Sequence, residues 1–179
     1  MEGHMKIKIF QKGFNYSQDG TGNRLVYHLQ GCNMHCPWCA NPEGMDKDGT
    51  LMVNAEWLLD SVCPYGAIRQ KDVDRGMCGS CAEKPCIHVN RNMGIRYSCK
   101  DYDVEAIFDE VNRSSILFFD GGGVTLTGGE PTQQFEAVEV LLDGLKSRGI
   151  HTAIETNATH PELDRLFPLI DLLIMDFKH

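Results

Sequence analysis

Apolar and polar positions alternate along Arg24-Leu25-Val26-Tyr27-His28-Leu29-Gln30, which predicts a strand, and residues 6–12 read as a second. Asp19-Gly20-Thr21-Gly22 between them predicts a turn. Asn54 is placed to cap a short helix carrying Trp57, Leu58 and Val62. From 63 to 100 no period is sustained, and the abundance of Cys, Gly, Arg and Asn predicts an inserted loop module organised by metal. A helical period follows: Asp103 caps Val104, Ile107, Phe108 and Val111, spaced i, i+3, i+4, i+7. Ile116–Phe119 reads as an apolar strand, continued by Val124-Thr125-Leu126-Thr127 up to Gly128-Gly129. Phe135, Val138, Leu141, Leu142 and Leu145 trace another helix, stopped by Gly149. A strand over 150–155, a short helix opening at Pro161 and an apolar strand over 172–176 complete the pattern. Strands alternating with helices imply a parallel sheet with right-handed crossovers.

Composition adds bounds. The 179 residues, 42% hydrophobic and 23% charged, suit one soluble globular core. No run approaches the roughly 18 apolar residues of a membrane span, and no apolar signal core opens the chain. The expectation is a cytoplasmic protein with no membrane association. Met1-Glu2-Gly3-His4-Met5 holds two methionines and reads as a cloning remnant. Seventeen Lys and Arg against 25 Asp and Glu give a net charge of −8, which argues against a nucleic-acid partner. Residues 63–100 carry seven Lys/Arg against three Asp/Glu, a local +4 that leaves −12 for the remainder. Five of the eight cysteines lie in this basic island, whose charge would offset that of thiolates and suit an acidic electron donor.

The cysteines fall into two groups, Cys32, Cys36 and Cys39, then Cys63, Cys78, Cys81, Cys86 and Cys99. Each group is odd-numbered, and without a secretion signal the spacing favours metal over disulfides. The first group is C-x3-C-x2-C on a loop directly after a predicted strand. Three thiolates hold three irons of a cubane 4Fe–4S cluster and leave the fourth iron open to a small molecule. The alternative is a Cys3His zinc site using His35, although His35 adjoins Cys36 directly. His28, His35, His88 and His151 have no spacing that forms a metal site and read as structural or solvated. In the second group Cys78-x2-Cys81-x4-Cys86 is a ferredoxin-type triplet with a stretched second gap.

The C-x3-C-x2-C run, with the aromatic Trp38 before its last cysteine, resembles the signature of the radical S-adenosylmethionine (SAM) superfamily. Gln30-Gly31-Cys32 through Cys39-Ala40-Asn41-Pro42-Glu43 and the preceding Asp19-Gly20-Thr21-Gly22-Asn23-Arg24 resemble activating enzymes of glycyl-radical enzymes, of the pyruvate formate-lyase activating type. Thr21 stands where those commonly have proline. The resemblance implies an α/β fold, a parallel-sheet partial (β/α) barrel of the radical SAM type. Its core would occupy 6–62 and 101–179, with a ferredoxin-like insert at 63–100. Four strands are fewer than the six of that fold, so the chain reads as truncated.

The same resemblance assigns site residues. Cys32, Cys36 and Cys39 would hold the SAM-binding 4Fe–4S cluster, with Trp38 beside it. Gly128, Gly129 and Glu130 would receive the SAM amino group, Lys178 its carboxylate, and Glu155 and Asp176 the ribose side or a nearby cation, with Asn157 of the stretch Glu155-Thr156-Asn157 also cofactor-binding. Cys63-Pro64 resembles the Cys-Pro end of a bacterial ferredoxin motif, so Cys63 would complete one auxiliary 4Fe–4S cluster with Cys78, Cys81 and Cys86. Cys99 is then left over or replaces Cys63, and four thiolates also suit zinc. The implied reaction is reductive cleavage of SAM to a 5′-deoxyadenosyl radical, which abstracts a glycine Cα hydrogen from a partner glycyl-radical enzyme. A flavodoxin- or ferredoxin-type protein would donate the electron. Alternatives are another small radical SAM enzyme, such as a ribonucleotide reductase activase or one with a small-molecule substrate, and a non-catalytic iron–sulfur electron-transfer module.

Overall fold

A computed structural model describes residues 5–89 and 94–178, so most of the expected N-terminal remnant and the side chain of His88 lie outside the described residues. In chain order the strands are β1 (Lys6–Tyr16), β2 (Asn23–Leu29), β3 (Leu51–Val53), β4 (Ile68–Arg69), β5 (Asp72–Val73), β6 (Ile95–Tyr97), β7 (Lys100–Asp103), β8 (Gly123–Gly128), β9 (Thr152–Thr156) and β10 (Leu172–Met175). The α-helices are α1 (Arg75–Gly79), α2 (Cys86–Val89), α3 (Val104–Ser114) and α4 (Phe135–Ser147). Two compact units emerge, one formed by the chain up to Gly49 together with Cys99 onward, the other by Thr50–Ser98.

The larger unit is built on a six-stranded sheet of order β10-β9-β8-β2-β1-β7. β2, β8, β9 and β10 are parallel neighbours, as the alternation of strands and helices requires. β1 and β7 extend this sheet antiparallel. The reason for β1 is its connection: Ser17–Gly22 is a tight turn, closed by Ser17 N–H donating to Gly22 O at 3.0 Å, and a turn that short permits only an antiparallel partner. One face of the sheet packs on α3 and α4. Leu25, Tyr27 and Leu29 of β2, Val124 and Leu126 of β8 and Ile154 of β9 join Ile107, Phe108 and Val111 of α3 and Val138, Leu141, Leu142 and Leu145 of α4 in one buried core. These are the stripes at helical and strand spacing seen in the sequence. Gly149, at φ +71°, ends α4 in the left-handed conformation open to glycine.

On the opposite face Arg24 is fully buried. Its guanidinium donates to Thr125 Oγ1 at 2.6 Å and to Val124 O at 2.7 Å, and approaches Thr21 O, Gly121 O and His151. Burial lowers its pKa, opposed by Asp171 and Asp19. The strand ends opposite the cysteine loop are thus closed by one buried cation that satisfies backbone carbonyls.

The smaller unit holds β3 paired with β6, the β4–β5 hairpin, α1 and α2 around Leu58, Ile68, Val73, Cys78, Cys86 and Ile95. It begins at Thr50, earlier than a module opening at 63, because β3 pairs with β6. The helix expected after Asn54 is replaced by a turn and a 3-10 segment, Asp60–Val62. Asn54 Oδ1 accepts from Glu56 N at 3.0 Å and its carbonyl from Trp57 N at 3.2 Å, which spends the cap on a local turn. Ile116–Phe119 is likewise no strand. α3 runs into a 3-10 turn over Ser115–Leu117, Ile116 is 88% exposed, and β8 starts only at Gly123, opposite Arg24. The helix expected at Pro161 is a 3-10 segment, Leu163–Leu169. Among the described residues no helix is long and apolar enough to cross a membrane.

Leu141 is fully buried on α4 and Val140 is 44% exposed beside it. Leu141→Ala is expected to cost about 2–5 kcal/mol in urea unfolding and Val140→Ala far less; equal effects would contradict this placement of the core.

Candidate functional site

The chain leaves β2 through Gln30-Gly31 into the cysteine loop, whose two ends are pinned together. Gly31 N donates to Gly44 O at 2.8 Å and Cys32 N to Met45 O at 2.9 Å. The buried Gln30 amide donates to Glu43 O at 2.8 Å and Asp46 O at 2.6 Å. Residues 32–45 therefore close into a loop standing on the end of β2.

Beside it β8 ends in Gly128-Gly129-Glu130. Gly128 has φ +112°, and a Cβ there would lie 2.5 Å from Leu29 N. A Cβ on Gly129 would lie 2.2 Å from Gly31 O and 2.8 Å from Gly44 O. The close approach that the glycines permit is to the root of the cysteine loop itself. Gly129 N donates to Leu29 O at 2.9 Å and Glu130 N to Gly31 O at 2.7 Å, continuing the β2–β8 pairing into the loop.

Glu130 is 1% exposed. Its Oε1 accepts from Thr132 N at 3.1 Å, Thr132 Oγ1 at 2.6 Å and Thr156 Oγ1 at 2.7 Å. Its Oε2 accepts from Asn157 N at 2.7 Å. The carboxylate thus caps the 3-10 turn after Pro131 and clamps the end of β9 to that of β8. Asn157 Nδ2 donates to Asn33 Oδ1 at 2.9 Å, and Asn33 Nδ2 donates to Thr159 Oγ1 at 2.7 Å, so β9 also holds the cysteine loop. Gln30, Asn33, Thr132 and Thr156 position the site without any periodic signature; for Asn33 the sole signal is its place inside the C-x3-C run.

These elements enclose a cleft of about 470 Å³ lined by Cys32, Cys36, Cys39 and Trp38, and by Gly128–Glu130, Glu155, Asn157, Asp176 and Lys178. All the residues that the motifs single out around the first cysteine group meet here. His35, the fourth donor of the zinc alternative, is exposed and does not line the cleft. Burial raises the Cys32 thiol pKa, opposed by the Met34 N–H and reinforced by Glu130, Cys36 and Cys39. Glu155 accepts from Thr127 Oγ1 at 2.5 Å; burial raises its pKa, with Asp19 and Asp176 adding and the Thr127 bond and Lys178 opposing. Lys178 is paired with Asp176, and that bond raises its pKa. Three soft thiol donors at one cleft are the donor set of an iron–sulfur cluster. Among the described residues, no three His, Cys, Asp or Glu side chains converge on a single metal-ion position.

In the smaller unit Cys63, Cys78, Cys81 and Cys86 line a second cavity, of about 430 Å³. Ala67 N donates to Cys63 Sγ at 3.3 Å. Burial raises the thiol pKa of Cys78 and Cys86, and the neighbouring cysteines add to it. Cys99 belongs to the larger unit, directly before β7, and lines neither cavity. None of the eight cysteines is in a disulfide.

The family model of the radical SAM superfamily matches residues 26–177. The chain is 27% identical to the indoleacetate decarboxylase activating enzyme of Tractidigestivibacter scatoligenes, over 99% of this chain and 62% of that one. It is 32% identical to the isethionate sulfite-lyase activating enzyme of Desulfovibrio desulfuricans, over 90% of this chain and 56% of that one. It is 30% identical to the 4-hydroxyphenylacetate decarboxylase activating enzyme of Clostridioides difficile, again over 90% and 56%. The chain therefore spans 56–62% of the length of these relatives. In fold it is similar to QueE from Escherichia coli, with a TM-score of 0.51 and 21% identity over 89% of this chain and 55% of that one.

Gly129→Ala, whose methyl would meet the Gly31 carbonyl, is expected to destabilise the chain by about 1–3 kcal/mol in urea unfolding. A neutral substitution would contradict the close approach. A pH dependence follows from Glu155. Its raised pKa means that the folded chain keeps a proton the unfolded chain has lost, so this stability is full below the ordinary glutamate value and declines as pH rises through the raised one. Glu155→Gln, which still accepts from Thr127, should flatten that decline in unfolding measured between about pH 4 and about pH 8; an unchanged slope would contradict the burial of the carboxylate.

Proposed function

The chain belongs to the radical SAM superfamily, and we propose that it carries the cluster- and SAM-binding core of an activating enzyme for a glycyl-radical enzyme. The observation that carries the proposal is the single cleft shared by three thiols of one loop and the C-terminal ends of β8, β9 and β10. Family membership implies a 4Fe–4S cluster and SAM, and the cleft's donor set fits them, with Cys32, Cys36 and Cys39 as the residues that would hold the cluster. A cluster held there would supply the electron for reductive cleavage of SAM, the source of the oxidising power needed to take a glycine Cα hydrogen from the partner.

The chain's residues bind and orient. Gly128–Glu130 would receive the amino group of SAM; among the described residues Glu130 Oε2 accepts one hydrogen bond, from Asn157 N. Lys178, held by Asp176, offers a cation to the SAM carboxylate. Glu155 and Asn157 present polar atoms on the ribose side, and Trp38, 62% exposed, turns an apolar ring to the cleft. In the smaller unit Cys63, Cys78, Cys81 and Cys86 would hold one auxiliary 4Fe–4S cluster, reduced by a flavodoxin- or ferredoxin-type donor. A glycyl-radical enzyme as partner is supported by the three relatives, each an activating enzyme by name.

Anaerobic reconstitution with iron and sulfide is expected to load about eight irons per chain, two four-iron clusters. Adding SAM to the reduced protein should change the EPR signal and release 5′-deoxyadenosine. Cys36→Ser should abolish both responses while about four irons remain. An EPR signal indifferent to SAM would refute the proposal, and zinc in place of iron at the smaller site would refute the auxiliary cluster alone.

A further inference from the structure

The smaller cavity holds a charged side chain that the ligand set does not use. Cys81 and Cys86 are separated by Ala82-Glu83-Lys84-Pro85, the stretched gap of the triplet. Within it Lys84 adopts φ +41°, a left-handed conformation that a lysine keeps only when its surroundings hold it there. Two contacts do so. Ile87 N donates to Lys84 O at 3.2 Å, which fixes the turn into α2. Lys84 Nζ lies over the Tyr97 ring on β6, 5.1 Å from its centre. Lys84 lines the same cavity as Cys63, Cys78, Cys81 and Cys86, with Glu83 the other charged residue on that wall. A lysine on an ordinary surface turn extends into water; this one lies over the Tyr97 ring and lines the cavity of the four cysteines.

We propose that Lys84 is the tuning cation of the four-thiolate site, its ammonium held by Tyr97 where it offsets the charge of the cysteines. This rests on the reading of those cysteines as a metal site. Four thiolates make any bound centre anionic, and one-electron reduction makes it more so. A fixed cation nearby therefore favours both the ligated thiolates and the reduced form. Tyr97 sets where the charge stands, and Lys84 supplies it.

The test uses the full chain with Cys32, Cys36 and Cys39 replaced by serine, so that only the smaller site binds metal. Anaerobic reconstitution with iron and sulfide should load about four irons per chain. Redox titration should then show the Lys84→Gln midpoint lower by about 59 mV, the equivalent of tenfold in a one-electron couple, with Lys84→Arg near the parent value and Tyr97→Leu lowered in the same direction. A midpoint unchanged in Lys84→Gln, with the four irons still bound, would overturn the role of Lys84 alone. A parent chain that loads no cluster would overturn the metal site and Lys84 together.

Discussion

Two backbones meeting with no side chain between them hold the cleft together. Where β8 ends, Gly129 lies so close to Gly31 that a single methyl would fall 2.2 Å from the Gly31 carbonyl oxygen. That contact lets the pairing of β2 with β8 run past the strands, through Gly129 to Leu29 and Glu130 to Gly31, so the loop bearing Cys32, Cys36 and Cys39 is rooted on the sheet. A loop with three thiols has no fixed relation to anything unless its base is fixed. Here the base is part of the ladder, and the thiols face the ends of the next two strands as a consequence.

Buried polar groups then decide how rigidly those strand ends are presented. Glu130 is removed from water and would be costly there unless paired, and donors from Thr132, Thr156 and Asn157 supply the pairing. The same carboxylate thereby aligns β9 with β8, while Asn157 and Asn33 join β9 to the cysteine loop. Glu155, bonded to the Thr127 hydroxyl, and Asp176, paired with Lys178, complete the rim. At the opposite ends of the strands Arg24 performs the corresponding task for backbone carbonyls. The sheet is closed by buried polar groups at both ends and by apolar packing on α3 and α4 between them.

What the sequence discloses follows from which interactions are local. The stripe of Ile107, Phe108 and Val111 and that of Val138, Leu141, Leu142 and Leu145 are periodic, so α3 and α4 are legible. The residues around the first cleft are legible because their motifs end successive strands, and in a parallel sheet such ends lie side by side. β7 is hidden because Lys100-Asp101-Tyr102-Asp103 carries no apolar run, and its pairing with β1 is entirely long-range. Ile116–Phe119 misleads by being apolar and exposed at once, while Asn54 spends its cap on a turn. For Glu130 the residue is legible and its four internal donors are not, since three come from threonines and one from an asparagine, at spacings with no period. For the smaller unit, spacing leaves Cys63 and Cys99 as rivals, and only the folded chain sets Cys63 on the cavity wall with Cys78, Cys81 and Cys86.

In the proposed site, the thiols of one loop and the ends of three parallel strands serve a cluster and SAM together. Nuclear coupling between the reduced cluster and SAM labelled with nitrogen-15 in its amino group and carbon-13 in its carboxylate tests it most directly. Coupling from both labels in the unsubstituted chain, absent in Cys36→Ser, is the predicted result. A reduced cluster that senses neither label, with SAM bound, would contradict it.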